Sequence, residues 1–353
     1  MKILENIALA PLTTLQVGGP ARYFADAASA REVQEAVNYA ADRKLPLFVL
    51  GGGSNVVVAD GGWPGLVVKI SIPGIAVLGD AAHLIFRAGA GEDWDRFVAL
   101  TVSRNCAGLE CLSGIPGTIG GTPVQNVGAY GEEVAETISS VRVLEIATGA
   151  IVEMTNADCG FSYRSSIFNN TQQGRYIVLQ VTYKLSRDGN PRIEYADLKK
   201  HFANASTPPT LQQTRDAVLA IRHSKAMLIV EGDEDCRSAG SFFKNPIVSQ
   251  AEAERIEAAA QRRAPDKKLP RYPSDNGQVK LPAAWLVEQA GLHKGHARGP
   301  AAISRKHSLA IVNRGGAKAT DIIALKDEIQ QRVLDVWGVT LTPEPVFVGF
   351  DHP

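Results

Sequence analysis

The sequence carries no excess of either charge: 37 lysines and arginines stand against 37 aspartates and glutamates, with no run of five basic residues. A chain that grips nucleic acid or an anionic membrane surface needs a basic footprint, so the balance points to neither and makes a small molecule the expected partner. Long apolar runs are missing as well. Stretches such as 45–50 and 56–59 fall far short of the ~20 residues that cross a bilayer. The start MKILENIALAPL has no basic segment followed by an apolar one, so the chain reads as soluble and cytoplasmic, without a leader. Cysteine is sparse: Cys106, Cys111, Cys159 and Cys236 form no C-x-x-C pair. That is too few for a disulfide framework, and it suggests no zinc or iron–sulfur site. Histidine is absent before His83.

What is present is a chain of 353 residues, 45% hydrophobic, long enough for two or three domains with real cores. Glycine is abundant, 33 in all, and it clusters at 51–53, through 114–131 and at 315–316. No fixed period appears, which excludes a repeat architecture. Elsewhere the pattern alternates helix and strand, an α+β reading. Ser29-Ala-Arg-Glu32 is a capping box ahead of a helical stripe of Val33, Ala36, Val37 and Ala40, and Leu45-Pro-Leu-Phe-Val-Leu50 then reads as a buried strand. Near the end, Ile322, Leu325, Ile329, Val333 and Val336 predict a core helix over 321–337 stopped by Gly338.

The strand at 45–50 runs into Gly51-Gly-Gly-Ser-Asn55. A Rossmann fingerprint would place its third glycine at 56 and open a helix there, but Val56-Val-Val-Ala-Asp60 is β-branched and predicts a strand. The loop is then either a plain tight turn or a nest of amide N–H groups for phosphate. In the second cluster, 108–131, proline, threonine, glutamine and asparagine punctuate small residues. It is either an irregular connection or a wall that lets a flat polycyclic cofactor lie against bare backbone.

The pairing of Gly51-Gly-Gly-Ser-Asn55 with Gly114-Ile-Pro-Gly-Thr-Ile-Gly-Gly121 and Gln125-Asn-Val-Gly-Ala-Tyr-Gly131 resembles the flavin-binding half of the UDP-N-acetylenolpyruvoylglucosamine reductase (UDP-N-acetylmuramate dehydrogenase) family. Thr13-Thr14, Gly18-Gly-Pro-Ala21, Phe161-Ser-Tyr-Arg-Ser-Ser-Ile-Phe168, Ala239-Gly-Ser-Phe-Phe-Lys-Asn-Pro246, Ala284-Trp-Leu-Val-Glu-Gln-Ala-Gly291 and Glu344 extend the resemblance over nearly the whole chain. It implies an α+β protein: a two-lobed FAD-binding fold of the vanillyl-alcohol-oxidase (PCMH) type, then an α+β substrate-binding domain. The expected segments are 12–187 for FAD, with the lobes meeting near 70–80, 188–210 for a connection carrying a tyrosine loop, and 211–353 for the substrate.

The resemblance implies an enzyme that passes electrons from NADPH through non-covalent FAD to UDP-N-acetylglucosamine enolpyruvate, giving UDP-N-acetylmuramate for peptidoglycan synthesis. It also implies a monomer. The cofactor residues it implies are Gly51, Gly52, Gly53, Ser54, Asn55, Ile115, Pro116, Gly117, Thr118, Gly120, Gly121, Gln125, Asn126, Gly128 and Ala129. Hydride added to an enol ether beside a carboxylate builds negative charge on the α-carbon and carboxylate, so such a site needs a cation or acid there and a proton donor. By resemblance Arg164 is the cation, Ser241 the donor and Glu344 the acid. Without the resemblance Arg164 is equally a surface ion pair, Ser241 a helix N-cap before Phe242 and Phe243, and Glu344 a strand end. Tyr195, Lys225, Asn245, Tyr272, Lys294 and His307 occupy positions similar to the family's substrate contacts, and serine with Tyr195 matches the subclass with a serine donor and a closing tyrosine loop.

Three features depart from the family pattern. The approach to Ser241 through 226–238 is longer and acidic, His293 is an extra residue before Lys294, and Pro300 stands where a glycine is common. Two other classes stay open: another flavin oxidoreductase of the same fold, or a non-catalytic flavin or nucleotide-sugar module.

Overall fold

The computed structural model describes residues 1–263 and 265–350. The chain divides into two compact units. Met1–Ile7, Pro20–Gly53 and Trp63–Leu228 form the first, and Ala8–Gly19, Ser54–Gly62 and the chain from Ile229 onward form the second. The division therefore runs differently from the expected segments: 188–228 joins the first unit, and the division falls inside the first glycine loop, after Gly53.

Besides a two-stranded sheet of Gly128–Ala129 with Glu132–Glu133, the first unit has two main sheets. The smaller orders its strands Leu4–Ala8, Pro20–Ala27, Trp63–Ile70, Leu47–Leu50, the last three parallel. Helix Ala30–Asp42 makes the crossover, and the Ser29 side chain accepts from Glu32 N–H while the Glu32 carboxylate accepts from Ala28 N–H. Val33, Ala36, Val37 and Ala40 are buried, the stripe the sequence predicts. The larger sheet is antiparallel, with Ile151–Thr155, Ile138–Glu145, Tyr176–Arg187, His83–Gly89 and Ile75–Gly79 in order.

Helix Trp94–Ser103 holds the second glycine cluster against the larger sheet. Trp94, Phe97, Phe86 and Tyr183 pack ring on ring in the core, and the Trp94 indole N–H donates to Leu112 O at 3.0 Å. Backbone bonds from Ile119 N to Glu92 O (2.9 Å) and from Gly120 N to Ala90 O (2.8 Å) then pin the glycines themselves. The Tyr183 hydroxyl meets Thr122 Oγ1 at 2.6 Å on the far side. The loop is thus fixed scaffold rather than a solvated connection.

Helix Leu211–Ser224, expected to open the substrate domain, packs in the first unit instead. The Arg215 guanidinium grips Asp95 with two bonds of 2.7 and 2.8 Å, and Asp95 also accepts Gly114 N–H at 2.6 Å. Burial pushes the Asp95 carboxyl up, but the Arg215 and Gly114 hydrogen bonds outweigh it and hold the group below its ordinary value. Asp95→Ala should therefore leave a buried guanidinium unpaired and the start of the glycine run untied. A cost of about 2–3 kcal/mol is expected in urea unfolding, below the ~3–5 of a fully buried pair because the Asp95 side chain is 35% exposed. A change under about 0.5 kcal/mol would show that the pair does not brace this unit.

In the second unit an antiparallel sheet orders Ser238–Ser241, Ala310–Asn313, Ala301–Ile303 and Ala297–Arg298. Helix Ala319–Trp337 covers it, burying Ile322, Leu325, Ile329, Val333 and Trp337, and ends at Gly338 with φ 68°. Trp337 takes the inward place the sequence gives to Val336, and its indole N–H donates to Leu286 O at 2.9 Å. The Asp60 carboxylate accepts Ala319 and Thr320 N–H at 2.7 and 3.1 Å, a favourable place for an anion at a helix start. Segment 8–19 is tied into this unit by Thr14 Oγ1 donating to Ser238 O at 2.6 Å and by Asn313 Nδ2 donating to Leu15 and Gln16 carbonyls.

Candidate functional site

In the first unit the two glycine loops meet backbone to backbone. A Cβ on Gly52 would lie 2.5 Å from Gly117 Cα, and one on Gly51 would lie 3.1 Å from Thr118 Oγ1. Approach this close admits no side chain at Gly52. Gly53 at φ 63° and Gly117 at φ 133° are also left-handed, where L side chains are strained. A Cβ on Gly121 would meet no protein atom within 4 Å. Thr118 Oγ1 is buried and has no hydrogen-bond partner among the described residues. Bare backbone on two loops and an orphaned hydroxyl suit a flat ligand with polar edges, the flavin of the sequence reading.

The wall continues through 125–129. The Asn126 side chain accepts from Ala135 N–H and donates to Glu133 and to Ser162 O, so it braces the loop from within. Arg164 Nη2 donates to Gly128 O at 2.7 Å. A Cβ on Gly128 would come within 3.1 Å of Arg164 Nη1 and 2.8 Å of Glu133 Cγ, so this glycine makes room for the arginine. Arg164 itself has φ 54°, an uncommon conformation for a non-glycine residue, and its carbonyl accepts from Asn169 Nδ2. Neighbouring Ser166 donates to Val124 O at 2.6 Å. These bonds tie Arg164 to the 125–129 segment and to Asn169.

Tyr195 and Lys225 come together at helix Ala196–His201. Tyr195 is its N-cap and 45% exposed, and Lys225 Nζ bonds Asp197 at 2.5 Å. Sequence reasoning passed over Tyr130, whose ring meets that of Tyr195 edge-on at 5.3 Å, and Arg222, buried beside it. Burial raises the Tyr130 phenol and lowers the Arg222 guanidinium. The only signal for Tyr130 was its place in Gln125-Asn-Val-Gly-Ala-Tyr-Gly131, between two glycines.

Under this cluster lies a buried acidic pair. Glu110 accepts from Gly108, Leu109 and Arg192 N–H, and Glu132 accepts from Cys111 N–H at 2.9 Å. Burial first, then the Glu110 charge, pushes the Glu132 carboxyl up to about 9. In the unfolded chain it ionises near ~4.3. A folded value above the unfolded one stabilises fully below about pH 4, and that stabilisation fades as pH rises through about 9. Melting temperature of the protein should thus fall across that window, and Glu132→Gln should flatten the slope. Equal slopes in both proteins would contradict a protonated Glu132.

In the second unit the chain just after Ser241 runs beside the segment that carries Glu344. Ser241 ends the strand Ser238–Ser241 opposite Ala310, which removes the helix-cap reading. Phe243 and Pro343 form an antiparallel bridge, Glu344 N–H donates to Phe242 O at 2.9 Å, and Lys244 N–H donates to Thr342 O at 2.9 Å. Asn55 Nδ2 donates to Glu344 O, and Val346 N–H to Asn55 O, so Asn55 fixes the acid's segment. His307 sits on the neighbouring turn: its Nδ1 accepts Leu309 N–H at 3.1 Å, and Leu309 O accepts Phe242 N–H at 2.8 Å. Asn245 Oδ1 accepts Ala283 N–H and so starts helix Ala283–Gln289. Tyr272, 52% exposed, stands on a short strand opposite Lys280, and Lys294 on an exposed turn.

Comparison with known proteins gives two family matches: "FAD binding domain" over residues 21–155 and "UDP-N-acetylenolpyruvoylglucosamine reductase, C-terminal domain" over 232–348. The chain is 43% identical over 349 residues to UDP-N-acetylenolpyruvoylglucosamine reductase of Thermobifida fusca, covering 98% of each. It is 45% identical over 349 residues to that of Saccharopolyspora erythraea, covering 97% of this chain and 94% of the relative. The crystal structure of UDP-N-acetylenolpyruvylglucosamine reductase from Thermus caldophilus superposes with a TM-score of 0.66 at 26% identity and 99% coverage of both chains. The fold is accordingly an FAD-binding domain joined to the C-terminal domain of that family. No helix among the described residues is long and apolar enough to cross a membrane.

Proposed function

We propose the following for this chain, which belongs to the UDP-N-acetylenolpyruvoylglucosamine reductase family: it reduces UDP-N-acetylglucosamine enolpyruvate to UDP-N-acetylmuramate, a peptidoglycan precursor, with NADPH as reductant and non-covalent FAD as carrier. The observation that carries the reading is the run of backbone contacts from Phe242 and Phe243 to Glu344 and Pro343, which sets the chain just after Ser241 beside the segment that carries Glu344.

FAD, when bound, would supply hydride chemistry. Ser241 gives the proton to the α-carbon, and because a serine hydroxyl is a very poor acid it acts on a strongly basic centre and is reprotonated by a relay. The Arg164 guanidinium holds the substrate carboxylate as negative charge develops, with its fork already anchored on Gly128 O. Glu344 presents its carboxyl from the extended segment between Pro343 and Pro345. Gly51–Gly53 and 115–129 hold the flavin, Thr118 Oγ1 among them as a donor still to be used. Tyr195, Lys225, Asn245, Tyr272, Lys294 and His307 bind the UDP-sugar, and Tyr195 closes over it. The protein works as a cytoplasmic monomer.

Purified protein should be yellow, lose its colour with NADPH, and regain it quickly on adding the enolpyruvyl substrate. A flavoenzyme of other specificity would bleach without that rapid return, and a binding module would not bleach. Denaturation should release the flavin, since no histidine precedes His83 to tether it.

A further inference from the structure

The acidic stretch that lengthens the approach to Ser241 has a definite destination. Asp233 bonds Lys306 Nζ at 2.8 Å, Glu234 bonds the Arg305 guanidinium, and the Asp235 carboxylate accepts Arg305 N–H at 3.2 Å. Three successive acids thus meet two successive bases, and the next residue is His307. The acids are themselves ordered: Asp235 N–H donates to Asp233 Oδ1 at 2.9 Å, Cys236 N–H donates to Asp233 O, and Asp235 is 2% exposed. On the other side the turn is closed by Lys306 N–H donating to Ser304 Oγ and by Leu309 N–H donating to His307 Nδ1. The same Leu309 accepts Phe242 N–H, one residue beyond Ser241.

We propose that Asp233, Glu234 and Asp235 are positioning residues that hold the 304–309 turn, and with it His307, in register beside the Ser241 strand. The reading rests on the assignment of His307 as a substrate contact. His307 Nδ1 accepts Leu309 N–H, so the ring's orientation is fixed by the turn that carries it. The two exposed ion pairs alone contribute little to folding. Their geometric effect is larger, since a small displacement of a binding group costs far more in rate than in stability. The buried Asp235 carboxylate is the central member: its oxygen replaces water for a backbone N–H that no strand partner takes.

The test uses holoenzyme and reads both half-reactions. Asp235→Ala should leave NADPH-driven flavin bleaching unchanged and raise KM for the enolpyruvyl substrate about 10- to 100-fold, with a smaller loss in kcat. Asp235→Asn, which keeps the acceptor oxygen, should recover most of the loss, a rescue that general loss of stability would not give. The double variant Asp233→Asn/Glu234→Gln should raise KM about threefold to tenfold and remove its salt dependence, and it stands as the test if Asp235→Ala does not fold. Equal slowing of both half-reactions, an unchanged KM in these variants, or no rescue by asparagine would overturn the proposal. Failure of the wild-type flavin to be reoxidised by the substrate would instead overturn the functional reading beneath it.

Discussion

Ser241→Ala is expected to leave NADPH-driven bleaching of the flavin within about twofold of wild type and to slow reoxidation by the enolpyruvyl substrate about 10²–10⁴-fold. The split follows from when the proton is needed: no charge develops on the α-carbon until the substrate accepts hydride, so a donor to that carbon cannot affect the earlier step. The structure makes the larger loss the expected one. Ser241 lies at the end of a strand whose neighbours Phe242 and Phe243 are 0% and 2% exposed, so no solvent-lined helix start surrounds it. Ser241→Cys, which keeps a hydrogen on the same short stem, should recover part of the rate. Glu344→Gln and Arg164→Ala belong with Ser241→Ala, slow in reoxidation only. If Ser241→Ala slowed both half-reactions equally, or neither, the donor assignment would fail and the serine would be only part of its strand.

The second large effect is loss of colour. Gly53 and Gly121 both lie in the expected flavin loops, but the two test different things. Gly53 has φ 63°, so any side chain strains the backbone before a ligand is considered. A Cβ on Gly121 meets no protein atom within 4 Å, so the fold can accept a bulky residue there. Gly121→Phe should therefore fold, melt within a few degrees of wild-type apoprotein, and bind FAD at least about 100-fold more weakly, emerging colourless from purification. Normal flavin content in Gly121→Phe would remove the 115–121 loop from the cofactor site. Gly52→Val is the contrasting variant: at 2.5 Å from Gly117 Cα it should fail to fold well at all.

The sequence by itself determined the local elements and the class of ligand. Ser29 and Glu32 cap their helix, Gly338 ends another, and Val56–Val58 is a strand where a dinucleotide fold would need a helix. These are decided by residues a few positions apart, through capping hydrogen bonds, φ > 0 and β-branching, so they are legible without a fold. The two glycine clusters were legible as places of close backbone approach for the same reason, and only the family resemblance gave them to a flavin. Tertiary structure decided what depends on partners far away in the chain. Helix Leu211–Ser224 carries no sign that Arg215 will find Asp95, 120 residues earlier, or that Leu211, Ala217 and Val218 will be buried in the first unit. Ser241 reads as a helix cap until Ala310 and Leu309 pair with its strand, and Glu344 has no distinction until Phe242 takes up its N–H. Tyr130 is one tyrosine among eight until it meets Tyr195. The acids at 233–235 read as a departure from pattern, and only the fold sets them against Arg305 and Lys306. A charge pair across some 70 residues leaves no periodicity in the sequence, because the chain closes such a loop for the sake of the whole core rather than of the pair.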